Sequence, residues 1–226
     1  MRAQQLQRLQ GVGMGFLAGY VDTLGFIALF GLFTAHVTGN FVLIAVSLAD
    51  PSQTPSLLKL LAFPAFIVGV AVARLLVASC ERSGRPARKP SYLLQLVLLA
   101  GFMVCGMLAE PVGKTVGALA MSAGLLGTAA MGAHSAASKL LLTDLAPTSM
   151  MTGNVTQLVI DSVDQLRGAG DAATAKRCGK FFWPVLAFAL GCAAAAFLFL
   201  ALGFVALAVP IAILCLHLWL PDSEAQ

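Results

Sequence analysis

The sequence predicts an all-α polytopic membrane protein: six transmembrane helices, two short broken or re-entrant half-helices, and a two-fold internal repeat in an inverted 3+3 arrangement. Three observations lead there. The chain of 226 residues is 59% hydrophobic and only 11% charged, with mean hydropathy +0.89; a soluble domain carries roughly 25% charged residues, so this chain lacks the polar groups to face water all round. Apolar spans of about twenty residues recur, the length a helix needs to cross a bilayer. They are continuous rather than alternating, which excludes a β-barrel. The third observation is an echo. His36-Val37-Thr38-Gly39-Asn40 is answered by Met150-Met151-Thr152-Gly153-Asn154, and each Thr-Gly-Asn follows a long apolar segment and opens a shorter one. Self-similarity of this kind in an apolar chain points to the duplicated architecture of transporters.

Taken in order, Met1 to Gln10 is polar and basic, and the apolar run after it is too long for a signal-peptide core. A first span runs from Val12 to Phe33, with Gly13, Gly15, Gly19, Gly25 and Gly31 allowing close helix contact. The first short segment covers Phe41 to Ala49, and Asp50 to Pro55 reads as a loop. Further spans follow over Leu57–Ala78 and Tyr92–Leu108, separated by a polar loop that carries Arg82, Arg85, Arg88 and Lys89. The second half spans from Lys114 to Ala137, connects through Asp144 and Pro147, and gives its short segment over Thr152–Val163. Arg167 to Lys180 is polar and basic. Two last spans, Phe181–Leu200 and Gly203–Leu220, meet at Gly203, and the tail from Pro221 is short and acidic. The whole is one membrane domain, with repeat halves over 11–110 and 114–220. Phe63-Pro64 is answered by Trp183-Pro184 six residues out of phase, and Ala18 to Thr23 can be laid on Met131 to Ala136 with a one-residue slip.

Charge selects the topology. If neither short segment crosses, then of the 14 Lys and Arg all but Lys59 and Lys114 share one face with both termini. If both cross, the basic loop at 82–89 moves outside, against the cytoplasmic bias of Lys and Arg. Six spans and cytoplasmic termini are therefore expected, and three spans per half invert one half relative to the other.

The candidate site lies at the breaks. Thr38, Gly39 and Asn40, with Thr152, Gly153 and Asn154, combine helix-capping side chains with a glycine that permits close approach. A helix start in low dielectric attracts electronegative groups; the same residues would equally serve a plain, well-capped helix start. Asp22 sits near the middle of the first span, where a carboxylate costs roughly 2.5–3.5 kcal/mol on insertion scales and is a functional candidate for that reason. It could bind a cation, carry a proton, or be held by Asn154 or His134. His36 and His134 titrate near neutrality and could relay protons. Ser135, beside His134, completes the substrate-binding candidates. A serine nucleophile is rejected, because no base, orienting acid and oxyanion hole stand at recognisable spacing.

The five cysteines (Cys80, Cys105, Cys178, Cys192, Cys215) lack metal-type spacing and read as packing residues. Arg74 and Lys139 are expected to snorkel to the cytoplasmic boundary, with Asp144 and Asp161 meeting cations at that face. There is no phosphate loop, dinucleotide fingerprint or metalloprotease helix. The chain is therefore expected not to be an enzyme, with no cofactor and no metal. Its expected partners are the lipid bilayer and a small solute or ion, not nucleic acid, and its small-residue faces fit a homodimer.

Ala18-Gly19-Tyr20-Val21-Asp22, Gly25-Phe26 and His36-Val37-Thr38-Gly39-Asn40 resemble the signature of the YoaK-like bacterial small integral membrane proteins, a family of unknown function. Met131-Gly132 and Met151-Thr152-Gly153 are similar to that family's second-half pattern, and the resemblance covers essentially the whole chain. His134-Ser135 stands where the family has Gln-Asn, and small or hydroxyl residues are also usual at the place of Asn154. The resemblance implies a multi-span protein of the bacterial inner membrane and no particular substrate. The function expected is a small secondary transporter or channel-like permease, the alternative a non-transporting membrane scaffold or envelope sensor.

Overall fold

Why the chain forms these helices, and where it stops them, decides how the two breaks are built. The structure is a computed structural model that describes residues 2–50, 57–113, 115–143, 145–148 and 151–219, with side chains from Arg8 onward. Most of the loop after Asp50, Lys114, Asp144, Met150 and the acidic tail lie outside the described residues. The helices are α1 (Arg2–Ala28), α2 (Val37–Ala49), α3 (Leu57–Arg82), α4 (Arg88–Ala109), α5 (Ala118–Leu141), α6 (Met151–Leu166), α7 (Ala172–Leu202) and α8 (Ala208–Trp219), with a 3-10 turn over Gly203–Leu207 joining the last two. No strand occurs among the described residues.

Four stretches are long and apolar enough to cross a bilayer: Arg8–Ala28, Leu57–Arg82, Arg88–Ala109 and Ala172–Trp219, the last containing α7, the 3-10 turn and α8. The protein is an all-α membrane protein. α5 falls short of the same apolarity for a physical reason. It is the inner helix, burying Gly124, Gly127, Thr128, Gly132, His134 and Ser138, among others, against its neighbours. A helix buried along most of its middle can be small and partly polar there, whereas α3 and α4 present Leu60, Ile67, Leu75, Val97 and Leu108 outward.

Several elements depart from their expected bounds, α1 and α7 the most. The polar N-terminal stretch is already helical, as its Ala, Gln, Leu and Arg residues favour. The basic stretch expected as a loop up to Lys180 is helical from Ala172, because Asp171 caps α7: its carboxylate accepts the Thr174 N–H at 2.7 Å. Gly203 marks the junction expected of it, with φ +56.

The packing pairs α1 with α7 and α5 with α3, while α4 lies on α5 and α8 reaches α1; α2 lies on α3 and α6 on α7. The two main crossings are made by glycines. A Cβ on Gly19 would run into the Phe188 carbonyl oxygen, and one on Gly191 into that of Phe16. In the other crossing, Gly132 meets the Phe66 carbonyl and Gly69 that of Ala129 in the same way. Phe16 and Gly19 of α1 thus match Ala129 and Gly132 of α5 at one constant offset, and Phe66 and Gly69 of α3 match Phe188 and Gly191 of α7 at another. Pro64 and Pro184, inside α3 and α7, are out of that register by two residues. At the centre, Met14, Leu17, Tyr20 and Leu24 pack with Leu99, Phe102, Met131 and Phe204, and the buried Tyr20 hydroxyl donates to the Ala206 carbonyl at 2.8 Å.

Candidate functional site

α1 ends five residues earlier than its apolar run, and this ending makes the first break. Phe30 and Gly31 take left-handed backbone (φ 57 and 71), and the Gly31 N–H closes on the Phe26 carbonyl at 3.0 Å, the helix stop in which a left-handed residue follows the last turn. The chain then doubles back along α1. Thr34, Ala35 and His36 come to rest beside Asp22, six residues before the helix end and hence about 9 Å back along its axis. Asp22 is 5% exposed. Its Oδ1 accepts the Ala35 N–H at 2.6 Å and the Thr34 hydroxyl at 3.3 Å, with the His36 N–H at 3.4 Å, and its Oδ2 lies 2.6 Å from His36 Nδ1. With the imidazole protonated this is an ion pair. The His36 ring stands edge-on to Phe33 and to Phe188 of α7 and keeps 36% of its side chain exposed.

Asn40 locks the reversal. Buried in the first turn of α2, it accepts the Phe33 N–H at 3.0 Å and donates to the Phe33 carbonyl at 2.8 Å, seven residues back. His36 occupies the cap position of α2 and makes no side-chain cap bond there. Thr38 is the next residue but one, on the exposed side of the helix. Gly39 is half-buried, and a Cβ there would stand 3.0 Å from the Phe33 ring.

The second break repeats the construction with different chemistry. Asn154, also buried, donates to the Pro147 carbonyl at 2.6 Å, again seven residues back. Thr148 turns in to the long helix as Thr34 does. Its hydroxyl is 2.9 Å from His134 Nε2 and 3.2 Å from Ser138 Oγ, and its N–H donates to Ser138 at 3.3 Å. His134 is wholly buried, and its Nδ1 lies 3.1 Å from the Gln95 amide nitrogen of α4. With that nitrogen donating, Nδ1 accepts and the neutral ring donates from Nε2 to Thr148. Ser135 is half-buried beside it; Thr152 and Gly153 are exposed, with open space where a Gly153 Cβ would go.

The structure therefore gathers Asp22, His36 and Asn40 into one cluster and His134 and Asn154 into another. Asp22 is held by its own loop, not by Asn154 or His134, because the reversal delivers four donor groups, on Thr34, Ala35 and His36, from within the same half. Thr38, Gly39, Thr152 and Gly153 belong to neither cluster. Sequence reasoning missed Thr34, Thr148 and Gln95, and set Ser138 aside with the rejected serine nucleophile. The signal for the threonines was present: Thr34 and Thr148 stand at the same distance before Asn40 and Asn154, extending the echo to Thr-x-x-x-Thr-Gly-Asn. Among the described residues no group of three or more His, Cys, Asp and Glu could hold a metal ion.

Chemically, one break holds a buried carboxylate paired with a partly exposed imidazole, a unit that is net neutral while it holds one proton and, when that proton leaves, keeps a carboxylate charge supported by the donors of the loop. Its counterpart holds a neutral imidazole–hydroxyl chain. Farther along α6, buried Asp161 meets Arg177 at 3.0 Å, the nearby cation expected of it. Arg177 donates to Asp161 and holds its carboxyl below the usual range. Arg74 reaches exposed Glu81 at 3.1 Å, and Lys139 is exposed.

The class that fold and site define is an all-α membrane protein with two loop-stapled helix breaks. The family model for proteins of unknown function DUF1275 matches residues 10–220, and the chain belongs to that family. It is similar to the UPF0700 transmembrane protein YoaK of Bacillus subtilis (strain 168), at 37% identity over 70 residues. That alignment covers 31% of this chain and 31% of the curated relative. No solved structure matches.

Proposed function

We propose that this protein is a small, non-enzymatic secondary transporter or channel-like permease of the bacterial inner membrane, with its solute site at the paired breaks. The observation that carries the reading is the matched construction of the breaks, in which a buried Asn reaches seven residues back and a buried Thr turns in to a polar group of the long helix. Irregular backbone at membrane depth is tolerated where protein or a water-filled cavity satisfies it, and duplicated broken helices are how many transporters build a midplane site.

In this reading α1, α3, α4, α5, α7 and α8 span, while α2 and α6 are re-entrant. The 3-10 turn and α8 together extend about 28 Å, close to the hydrocarbon thickness. Exchanging the halves maps α1 on α7 onto α5 on α3, and α2 on α3 onto α6 on α7, which supports a duplication. Three spans per half, with the basic loops and both termini cytoplasmic, support its inversion. Asp22 with His36 is then the proton- or cation-responsive half of the site, and His134 with Thr148 the neutral half.

A non-transporting scaffold or envelope sensor is favoured by one observation: Asp22 and Asn40 already spend their hydrogen bonds on their own loop. A thermal-unfolding screen of the purified protein against ions, amino acids, sugars, nucleobases and organic anions at two pH values, with Asp22→Asn beside wild type, decides between them. A ligand that binds only the folded state raises the transition temperature. A solute that stabilises wild type and not the variant supports the permease. Equal responses of both proteins to every solute would count against a site at the breaks.

A further inference from the structure

Away from the breaks, the start of α1, the connector after α5 and the first turns of α7 enclose a cavity of about 460 Å³. Its polar wall is basic. Lys176, Arg177 and Lys180 face it from α7, and Arg8 faces it from α1. Lys176, Lys180 and Trp183 follow at four- and three-residue steps, so they form one stripe of the helix. Only Arg177 is neutralised, by Asp161 at 3.0 Å; among the described residues Arg8, Lys176 and Lys180 have no carboxylate within ion-pair distance. Gly11 and Ala146 line it with little side-chain bulk. Cations gathered in one concave site raise one another's energy unless an anion enters. Paired carboxylates would have served a purely structural role, and among the described residues only Asp161 makes an ion pair with a cation of this wall.

The lower edge of the cavity identifies the anion. Trp183 and Pro184 close it where the charged turns of α7 give way to its apolar length. Trp183 is 51% exposed and packs edge-on to Phe182, as aromatic residues do at a membrane–water boundary. Below it Leu186, Leu190 and Phe197 stay exposed along α7, an apolar wall continuous with the basic pocket. A free inorganic anion would use the pocket and leave that wall idle. A phosphodiester carrying acyl chains uses both.

We infer that this cavity binds the phosphate headgroup of an anionic phospholipid, with Arg8, Lys176 and Lys180 as its counter-ions and the acyl chains along α7. Basic pockets between helices at a membrane face hold anionic headgroups in this manner, at about fivefold in affinity per Lys or Arg engaged. The site is separate from the breaks and stands whether or not they carry a solute.

The test compares the full chain in phosphatidylcholine nanodiscs, alone or with about a fifth phosphatidylglycerol, for wild type, Lys176→Gln/Lys180→Gln and the control Lys139→Gln. Lys139 is exposed at the end of α5 and does not line the cavity. Phosphatidylglycerol should raise the unfolding midpoint of wild type and control. Its apparent affinity, titrated in mixed micelles, should fall roughly 25-fold in the double variant. Circular dichroism in phosphatidylcholine alone checks that all three fold alike. Equal responses of the double variant and wild type would overturn the proposal. So would a full response to inorganic phosphate without lipid, which would make the site one for a free anion.

Discussion

Replacing Asp22 separates the staple from the charge. In Asp22→Ala two buried donors lose their acceptor, the Ala35 N–H and the Thr34 hydroxyl, both in buried residues. A buried donor left without a partner costs about 1–3 kcal/mol, so the variant should lose about 2–6 kcal/mol before any contribution from His36. Asp22→Asn keeps Oδ1 for both donors. Only the contact with His36 changes, from a charge-assisted bond to one between an amide and a neutral ring, and the loss should be about 1–2 kcal/mol. Reversible unfolding in mixed micelles with increasing sodium dodecyl sulfate, monitored by circular dichroism, measures both against wild type. An Ala variant as stable as wild type, or an Asn variant as damaged as Ala, would refute the assignment of Oδ1 as the staple.

Other expectations follow from the same geometry. Asn40→Ala strips two bonds to the Phe33 backbone, including one to an N–H, whereas Asn154→Ala strips one backbone bond and a weak contact with the Met151 sulfur, since Pro147 has no N–H to offer. In the unfolding assay the first should cost about 1–3 kcal/mol more than the second. Gly19→Ala and Gly132→Ala drive a methyl group into a backbone carbonyl and should cost about 1–3 kcal/mol or more. Gly153→Ala, in open space on a helix, should be neutral or stabilise by about 0.5–1 kcal/mol; a loss of solute response without a loss of stability there would give that glycine a direct role. The Asp171 carboxyl is held below its usual value by the Thr174 N–H and then the Thr174 hydroxyl. Its contribution is therefore present above the ordinary carboxylate value, about 3.9, and is lost as pH falls through the lowered folded value. Asp171→Ala should lower the melting temperature near pH 7, by an amount that shrinks below about pH 4, and Asp171→Asn should keep most of the cap.

The helices were legible because apolar runs of membrane length need no partner to be recognised, and Gly203 stood out as the junction between α7 and α8. Helix ends were less so. Phe33 belongs to an apolar run, yet α1 stops at Ala28 because Phe30 and Gly31 take left-handed backbone, and nothing in hydropathy reports that. Of the candidate residues, Asp22, His36, His134 and the two Asn fall in buried polar clusters. Thr and Gly, read together with Asn as the capping chemistry, lie outside those clusters, since Asn makes the backbone bonds at each break. Gln95 could not be read from the sequence, as its place beside His134 depends on how α4 crosses α5.

The central claim is that the two halves lie in the membrane with opposite orientation and that α2 and α6 do not cross it. With the five native cysteines replaced by alanine, single cysteines at Arg85, Gly113 and Ala169, all exposed, can be labelled by a membrane-impermeant maleimide in right-side-out and inverted vesicles. The account expects Arg85→Cys and Ala169→Cys to react from the cytoplasmic side and Gly113→Cys from the opposite side. Labelling of Arg85→Cys from outside, with Gly113→Cys and Ala169→Cys from the cytoplasm, would mean that both short helices cross, and would contradict it.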